Sequence, residues 1–295
     1  MSLPVRSRLL LLAAAVLFST GGAAIKGCSL SAVQLACFRS GIAAVSLAVL
    51  LPEARQRWTW RTVAVGFAYA ATLILFVMAN KTTTSANAIF LQSTAPVYLL
   101  FLGPVLLREP VRRSDLLVIT GVACGAVLMF IGSQAPSATA PDPARGNLYG
   151  LASGFFWALT VSGLRWLERG THAPGNAITT VVCGNVIAFL LCLPRALPVA
   201  NPSVSDGATL LYLGVFQIGL AYFALSRSIR HVPALEASTL LMVEPALNPV
   251  WTYILHGERA GSAPLVGGIL VLASTMAGTW WSARQTVRSR QFVTK

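Results

Sequence analysis

Apolar runs of about 17 to 25 residues, separated by short clusters of charge, dominate this chain of 295 residues. Each run is long enough to cross roughly 30 Å of hydrocarbon as a helix. Only 11% of the residues are charged. A soluble globular protein carries about 25%, so this chain cannot build a polar shell around a domain of its size. Inside lipid the backbone must satisfy its own hydrogen bonds, and the period-two alternation of a membrane barrel is missing, so each run is predicted to be a helix.

Ten spans are drawn, at roughly 8–25, 32–51, 62–80, 84–107, 114–132, 148–166, 174–193, 208–227, 234–256 and 263–281. Residues 8–25 follow Arg6 and Arg8 and contain an alanine-rich stretch, for which a cleaved signal peptide is the alternative reading. The run 234–256 carries Glu236, Glu244, Pro245 and Pro249, a set that a lone lipid-facing helix would not tolerate. Threading ten spans from a cytoplasmic N-terminus puts 16 of the 22 Lys and Arg inside and 5 outside, with Arg39 left within the second span. This is the bias of the positive-inside rule. The expectation is an all-α, multi-pass integral membrane protein of the cytoplasmic membrane, with ten transmembrane helices and both termini cytoplasmic.

A polar, proline-rich stretch from Gly132 to Arg145 divides the spans five and five. Lys81, Ala88, Leu91, Pro96 and Glu109 precede Arg230, Ala237, Leu240, Pro245 and Glu258 by a shared offset of 149 residues. Because five is odd, the second half is expected to be inverted relative to the first. Inverted repeats are a hallmark of secondary transporters, which expose one site to either face in turn. The predicted organisation is a first five-helix repeat at 1–132, an outside linker at 133–147, a second five-helix repeat at 148–283 and a basic cytoplasmic tail at 284–295.

Other function classes are disfavoured by the same composition. The net charge of +13 is explained by topology, not by nucleic-acid binding. Cys28, Cys37, Cys124, Cys183 and Cys192 lie in or beside apolar runs without a C-x-x-C pair and read as small hydrophobes. Three histidines, at 172, 231 and 256, do not suggest a metal cluster. Phosphate-binding loops, H-E-x-x-H and G-x-S-x-G are absent, so neither a cofactor nor an enzyme activity is expected.

The segment from Arg230 to Pro245, with Trp251 to Leu255 and Gly257-Glu258-Arg259, resembles the last-but-one helix of EamA-type carriers of the drug/metabolite transporter superfamily. The first half echoes it with Ser93-Thr94-Ala95-Pro96 and Arg108-Glu109-Pro110. Leu17-Phe18-Ser19-Thr20 is similar to the Leu-Trp-Ser-Thr of the family's first helix, with Phe18 in place of Trp. The resemblance covers nearly the whole chain. It implies a carrier with a central cavity between its halves, monomeric as a working unit, exporting amino acids or related small metabolites, with aromatic amino acid exporters as relatives in kind.

Several residues are candidates for the work itself. Glu244 is read as a proton-coupling or amine-binding carboxylate, or as a structural partner of Arg39. Glu236 lies near a helix end and either shares that role or caps the helix. Arg39 is positioned to hold a substrate carboxylate, to neutralise Glu244, or to snorkel to the surface. Tyr69, Phe76, Asn80, Gln92, Tyr98, Trp157, Asn185, Gln217, Tyr222, Asn248 and Trp251 form the candidate pocket, aromatic rings walling it and amides orienting a polar end. Trp58, Trp60, Trp280 and Trp281 fit interfacial anchors instead, and Lys81 and Arg230 fit gate-rim charges. Gly21, Gly22, Gly121, Gly125, Gly267 and Gly268 offer small faces for close helix approach.

Three functions compete. The first is alternating-access export of amino acids or related metabolites, with protons as a candidate coupling ion. The second is facilitative uniport of small metabolites. The third, of a different class, is a membrane-embedded enzyme, which would require clustered His, Asp or Ser at one interface. A channel would require a charged ring or filter loop.

Overall fold

A computed structural model describes residues 3–104, 113–132, 135–170, 176–200, 202–228 and 231–293. The turn 107–110 and Arg230 lie outside these residues. The described chain is helical: α1 (Leu3–Ser19), α2 (Gly21–Gly27), α3 (Ala32–Leu50), α4 (Trp60–Thr82), α5 (Ser85–Gln92), α6 (Ala95–Leu102), α7 (Arg113–Ile131), α8 (Pro143–Gly170), α9 (Asn176–Ala196), α10 (Val204–Leu211), α11 (Ala221–Ser228), α12 (Ala234–Leu241), α13 (Val243–His256) and α14 (Ser262–Val293). A π-helical stretch, Tyr212–Leu220, joins α10 to α11.

The expectation of ten transmembrane helices is overturned. Among the described residues six helices are long and apolar enough to cross a membrane: Val5–Gly27, Ala32–Leu50, Trp60–Thr82, Ser85–Leu102, Ala177–Ala196 and Val204–Ser228. The remaining four fail for identifiable reasons. The apolar parts of α7 and α14 shorten to Leu116–Ile131 and Ser262–Gly278. Helix α8 is 28 residues long, but Asn147, Tyr149 and its glycines and serines dilute its apolar stretch. The run 234–256 carries Glu236, Glu244, Pro245, Asn248 and Pro249, which dilute its apolar character, and it divides at Met242 into pieces of 8 and 14 residues. The inverted five-plus-five arrangement, and the siding of the termini drawn from it, does not stand on this count.

Two of the breaks have one cause. Proline lacks an N–H and its ring clashes with the carbonyl four residues earlier. For Pro96 that residue is Gln92, the last of α5, and for Pro245 it is Leu241, the last of α12. Other helix starts are set by side-chain caps. Ser31 accepts from the Gln34 N–H and Thr59 from the Thr62 N–H, each in a reciprocal capping box.

The helices pack as expected of a chain with small faces. Helix α4 runs along α8 and α9, α3 along α9 and the π-helical stretch, α14 along α7, and α1 along α11 and α13. A methyl group at Gly125 would lie 2.5 Å from the Gly267 carbonyl oxygen, and the reverse holds at Gly267. Backbone meets backbone there, as the small-residue reading anticipates. Large apolar side chains such as Leu117, Ile131, Val49, Leu255 and Ile269 stand exposed on the outside, where lipid would cover them. All five cysteines are free and four of them are buried. Trp58, Trp60, Trp280 and Trp281 are exposed.

At one end the rods are tied by buried charge. Lys26, at the end of α2, lies 3.0 Å from Glu258, just past α13, with both side chains at most 4% exposed. The ammonium also donates to the Thr83 carbonyl at 2.6 Å and to the Thr139 carbonyl. Glu258 accepts from the Ser85 N–H at 2.7 Å. Nearby, Lys81 donates to the Cys28 carbonyl. Asp206 accepts from the Ser29 N–H and hydroxyl, both at 2.6 Å, while completing the capping box of α10 with Ser203. His256 Nε2 meets the Ala23 carbonyl at 2.8 Å. The other end carries looser pairs, Arg8 with Glu236 at 2.5 Å and Arg227 with Glu53 at 3.8 Å, partly or fully exposed.

Two consequences can be measured by thermal unfolding in detergent. Gly125→Ala is expected to cost about 1–3 kcal/mol, since the two backbones must separate. Gly207→Ala, with nothing within 4 Å of the added carbon, leaves the midpoint unchanged or raises it. Glu258→Gln strands a buried ammonium and is expected to cost about 3–5 kcal/mol, part of which returns when Lys26→Met is added. Stability equal to wild type in Glu258→Gln alone would show that the pair does not hold this end together.

Candidate functional site

A broad cavity of about 360 Å³ lies among the rods, bounded by α1, α3, α4, α5, α6, α8, the π-helical stretch, α11, α12, α13 and α14. Both proline breaks open onto it. Ser93, Ala95 and Pro96 border it from the first, and Met242, Glu244 and Pro245 from the second. Ser93 and Met242 are themselves 149 residues apart, the offset seen in the sequence.

The wall is aromatic. Phe18 meets Tyr222 edge-on at 5.2 Å between ring centroids, Tyr222 meets Tyr69 edge-on at 6.3 Å, and Tyr69 lies 6.4 Å from Trp157. The Tyr69 hydroxyl donates to that of Tyr222 at 3.0 Å, so the two rings are latched together. Phe76, Leu73 and Leu99 add apolar surface. Gln92 donates to the Ser153 hydroxyl at 2.8 Å, which in turn donates to the Thr72 carbonyl at 3.1 Å, knitting α5 and α8 to α4. Gln217 sits on the π-helical stretch, a distortion often found at functional positions. It donates to the Phe18 carbonyl at 3.4 Å, and its Oε1 has no donor.

Two charged residues line the cavity, Arg39 from α3 and Glu244 from the first turn of α13. They do not form an ion pair among the described residues, so Glu244 is not the structural partner of Arg39. Nor does Arg39 reach the surface: it is only 2% exposed.

Toward the ionic end the cavity gives way to close packing. A methyl at Gly22 would lie 2.5 Å from the Asn248 side-chain oxygen and 2.9 Å from the Ser85 hydroxyl, and one at Gly21 would lie 2.8 Å from Gln217. Asn80 belongs to this layer, accepting from Ser85 at 2.8 Å and donating to the Phe76 carbonyl at 2.9 Å. Beyond it lies the Lys26–Glu258 pair. The layer therefore separates the cavity from that end.

Of the residues singled out in the sequence, Tyr69, Phe76, Gln92, Trp157, Gln217, Tyr222, Glu244 and Arg39 border the cavity. The others are placed elsewhere. Tyr98 packs edge-on against Phe155, Asn185 donates to the Val181 carbonyl within α9, and Asn248 is buried against Gly22. Trp251 donates to the Ser19 hydroxyl at 2.9 Å, tying α13 to α1. Glu236 is held by Arg8 at the exposed end, away from the cavity. Sequence reasoning missed Phe18, Thr72 and Met242 as lining residues, and did not single out Lys26. Their only sequence signal was position: Phe18 within the first-helix motif, and Met242 beside the proline break.

The comparisons with known proteins agree on what kind of molecule this is. The model of the EamA-like transporter family matches residues 6–131 and again 144–278. An uncharacterized transporter of Methanothermobacter thermautotrophicus is 22% identical over 211 residues, 70% of this chain and 60% of its own length. The uncharacterized transporter YdfC of Bacillus subtilis is 26% identical over 213 residues, 70% of this chain and 66% of its own length. The chain thus spans about 60–66% of the length of these curated relatives. A solved crystal structure superposes with a TM-score of 0.60, covering 95% of this chain and 98% of that one at 18% identity, which shows a shared fold. Those descriptions name no substrate and do not single out aromatic amino acid export. The chain belongs to the EamA-like transporter family of the drug/metabolite superfamily, as a multi-pass integral membrane protein.

Proposed function

We propose that this protein exports amino acids or related small metabolites by alternating access, with the central cavity as the site that is exposed to each face in turn. One observation carries the reading. The cavity is walled jointly by the two segments that match the family model: Phe18, Arg39, Tyr69 and Gln92 come from the first, Trp157, Gln217, Tyr222 and Glu244 from the second. A site shared by two bodies changes its access when one moves against the other. On this reading the halves 1–132 and 148–283 are the moving parts, and a single chain suffices.

The dimensions and chemistry of the cavity support a small solute. Its volume lies at the low end of the roughly 300–1,000 Å³ of small-molecule sites, and a mostly apolar wall with a few polar groups is their usual make-up. Glu244 is the candidate for proton coupling, because a carboxylate open to the cavity and free of an ion pair can take up and release a proton as access changes.

The test is uptake of a labelled amino acid panel, with aromatic, branched, thioether and hydroxyl side chains, into liposomes containing the purified protein. Saturable uptake above empty liposomes is expected, with accumulation when a pH gradient is imposed. Glu244→Gln should abolish accumulation and leave equilibrating flux. Flux in wild type that only equilibrates would make the protein a uniporter, and no flux from folded protein would remove the amino acid assignment.

A further inference from the structure

Arg39 is the largest fully buried side chain among the described residues. It stands on α3, borders the cavity, and has no hydrogen-bond or ion-pair partner among the described residues; its Nε is enclosed and unsatisfied. A guanidinium in a protein does not shed its proton to escape such a place. Leaving it unpaired in a low-dielectric interior costs several kcal/mol.

Lys26, Lys81 and Arg8 are treated differently. Lys26 is matched by Glu258 and two carbonyls, Lys81 by the Cys28 carbonyl, and Arg8 by Glu236. Glu244 borders the same cavity, and the two form no ion pair among the described residues. Opposite charges that border one cavity without pairing with each other match a solute that carries both charges itself.

Resting on the carrier reading above, we infer that Arg39 is the carboxylate anchor of the cavity and that, with Glu244, it selects a zwitterion over the corresponding acid or amine. The carboxylate pairs with the guanidinium, whose planar fork suits it. The ammonium goes to Glu244, with the unpartnered Oε1 of Gln217 as a second acceptor. An acid alone would leave Glu244 unmatched, and an amine alone would leave Arg39 unmatched. The apolar body of the solute lies against Phe18, Tyr69, Trp157 and Tyr222. The hydroxyls of Tyr69 and Tyr222 are engaged with each other, so these rings offer wall area more than polar recognition.

The experiment is a set of binding titrations on the purified, detergent-solubilised protein with phenylalanine, phenylalanine amide and 3-phenylpropionate, alongside thermal unfolding without ligand. Wild type is expected to bind phenylalanine at least about tenfold more tightly than either analogue, a difference of roughly 1.4 kcal/mol or more. Arg39→Gln should erase the preference over the amide, and Glu244→Gln the preference over 3-phenylpropionate, while Arg39→Lys keeps part of the first. Without ligand, Arg39→Gln should unfold at a higher temperature than wild type, because an unpaired buried charge has gone. A packing role for Arg39 would lower that temperature and weaken all three ligands alike.

Retention by Arg39→Gln of the preference for phenylalanine over its amide would overturn the assignment. So would wild-type binding of the amide or the acid as tightly as phenylalanine, or of none of the three. In any of these cases, saturable flux of another solute in liposomes would leave the carrier reading standing. Absence of all flux would remove both.

Discussion

In hydrocarbon every backbone amide and every ionised side chain must find its partner within the protein, and this constraint organises the whole molecule. It makes the described chain helical, and it explains where charge is tolerated. At one end Lys26 and Glu258 are buried against each other, with the surplus donors and acceptors of both taken up by backbone groups of Thr83, Thr139 and Ser85. At the opposite end Arg8 and Glu236 pair where solvent reaches them. Such an exposed pair contributes about 0–1 kcal/mol, whereas breaking a buried one costs several. The molecule is therefore held firmly at one end and loosely at the other, with the cavity between.

The cavity exists because two helices are interrupted. Pro96 ends α5 at Gln92 and Pro245 ends α12 at Leu241, and the residues at both interruptions turn toward the same space. Straight helices would close their small faces on each other as α7 and α14 do at Gly125 and Gly267. Beside the breaks, the aromatic cluster of Phe18, Tyr69, Trp157 and Tyr222 supplies a wall that is rigid and apolar. Among the described residues the buried charges of the closed end are thus matched, and those bordering the cavity, Arg39 and Glu244, are not. That contrast is what gives the site its chemistry.

Much of this was legible in the sequence, for reasons that can be traced to single residues. Carboxylates are rare in the apolar runs, so Glu244 had to face inward, and the shared 149-residue offset of Pro96 and Pro245 marked the two segments as counterparts, though not as broken helices. Other features were hidden. When nearly every face of a helix is apolar, periodicity does not report its rotation, so Tyr98, Asn185 and Trp251 could not be told from the ring and amide residues that do face the cavity. Run length alone also counted 234–256 and 148–166 as spans, although Glu, Asn and Pro dilute the first and Gly, Ser and Tyr the second. Lys26 and Glu258 each look like a loop charge, and only the folded chain brings them together.

Alternating access requires that one cavity open to each face in turn. A single cysteine introduced as Ser93→Cys in a background lacking the five native cysteines places a reporter on the cavity wall. Its alkylation by a membrane-impermeant maleimide, added to one face or the other of sealed vesicles, reads access directly. The account predicts labelling from both faces, with a transported solute raising the rate from one face as it lowers the rate from the other. Labelling from a single face under every condition, or rates that rise from both faces together, would contradict it.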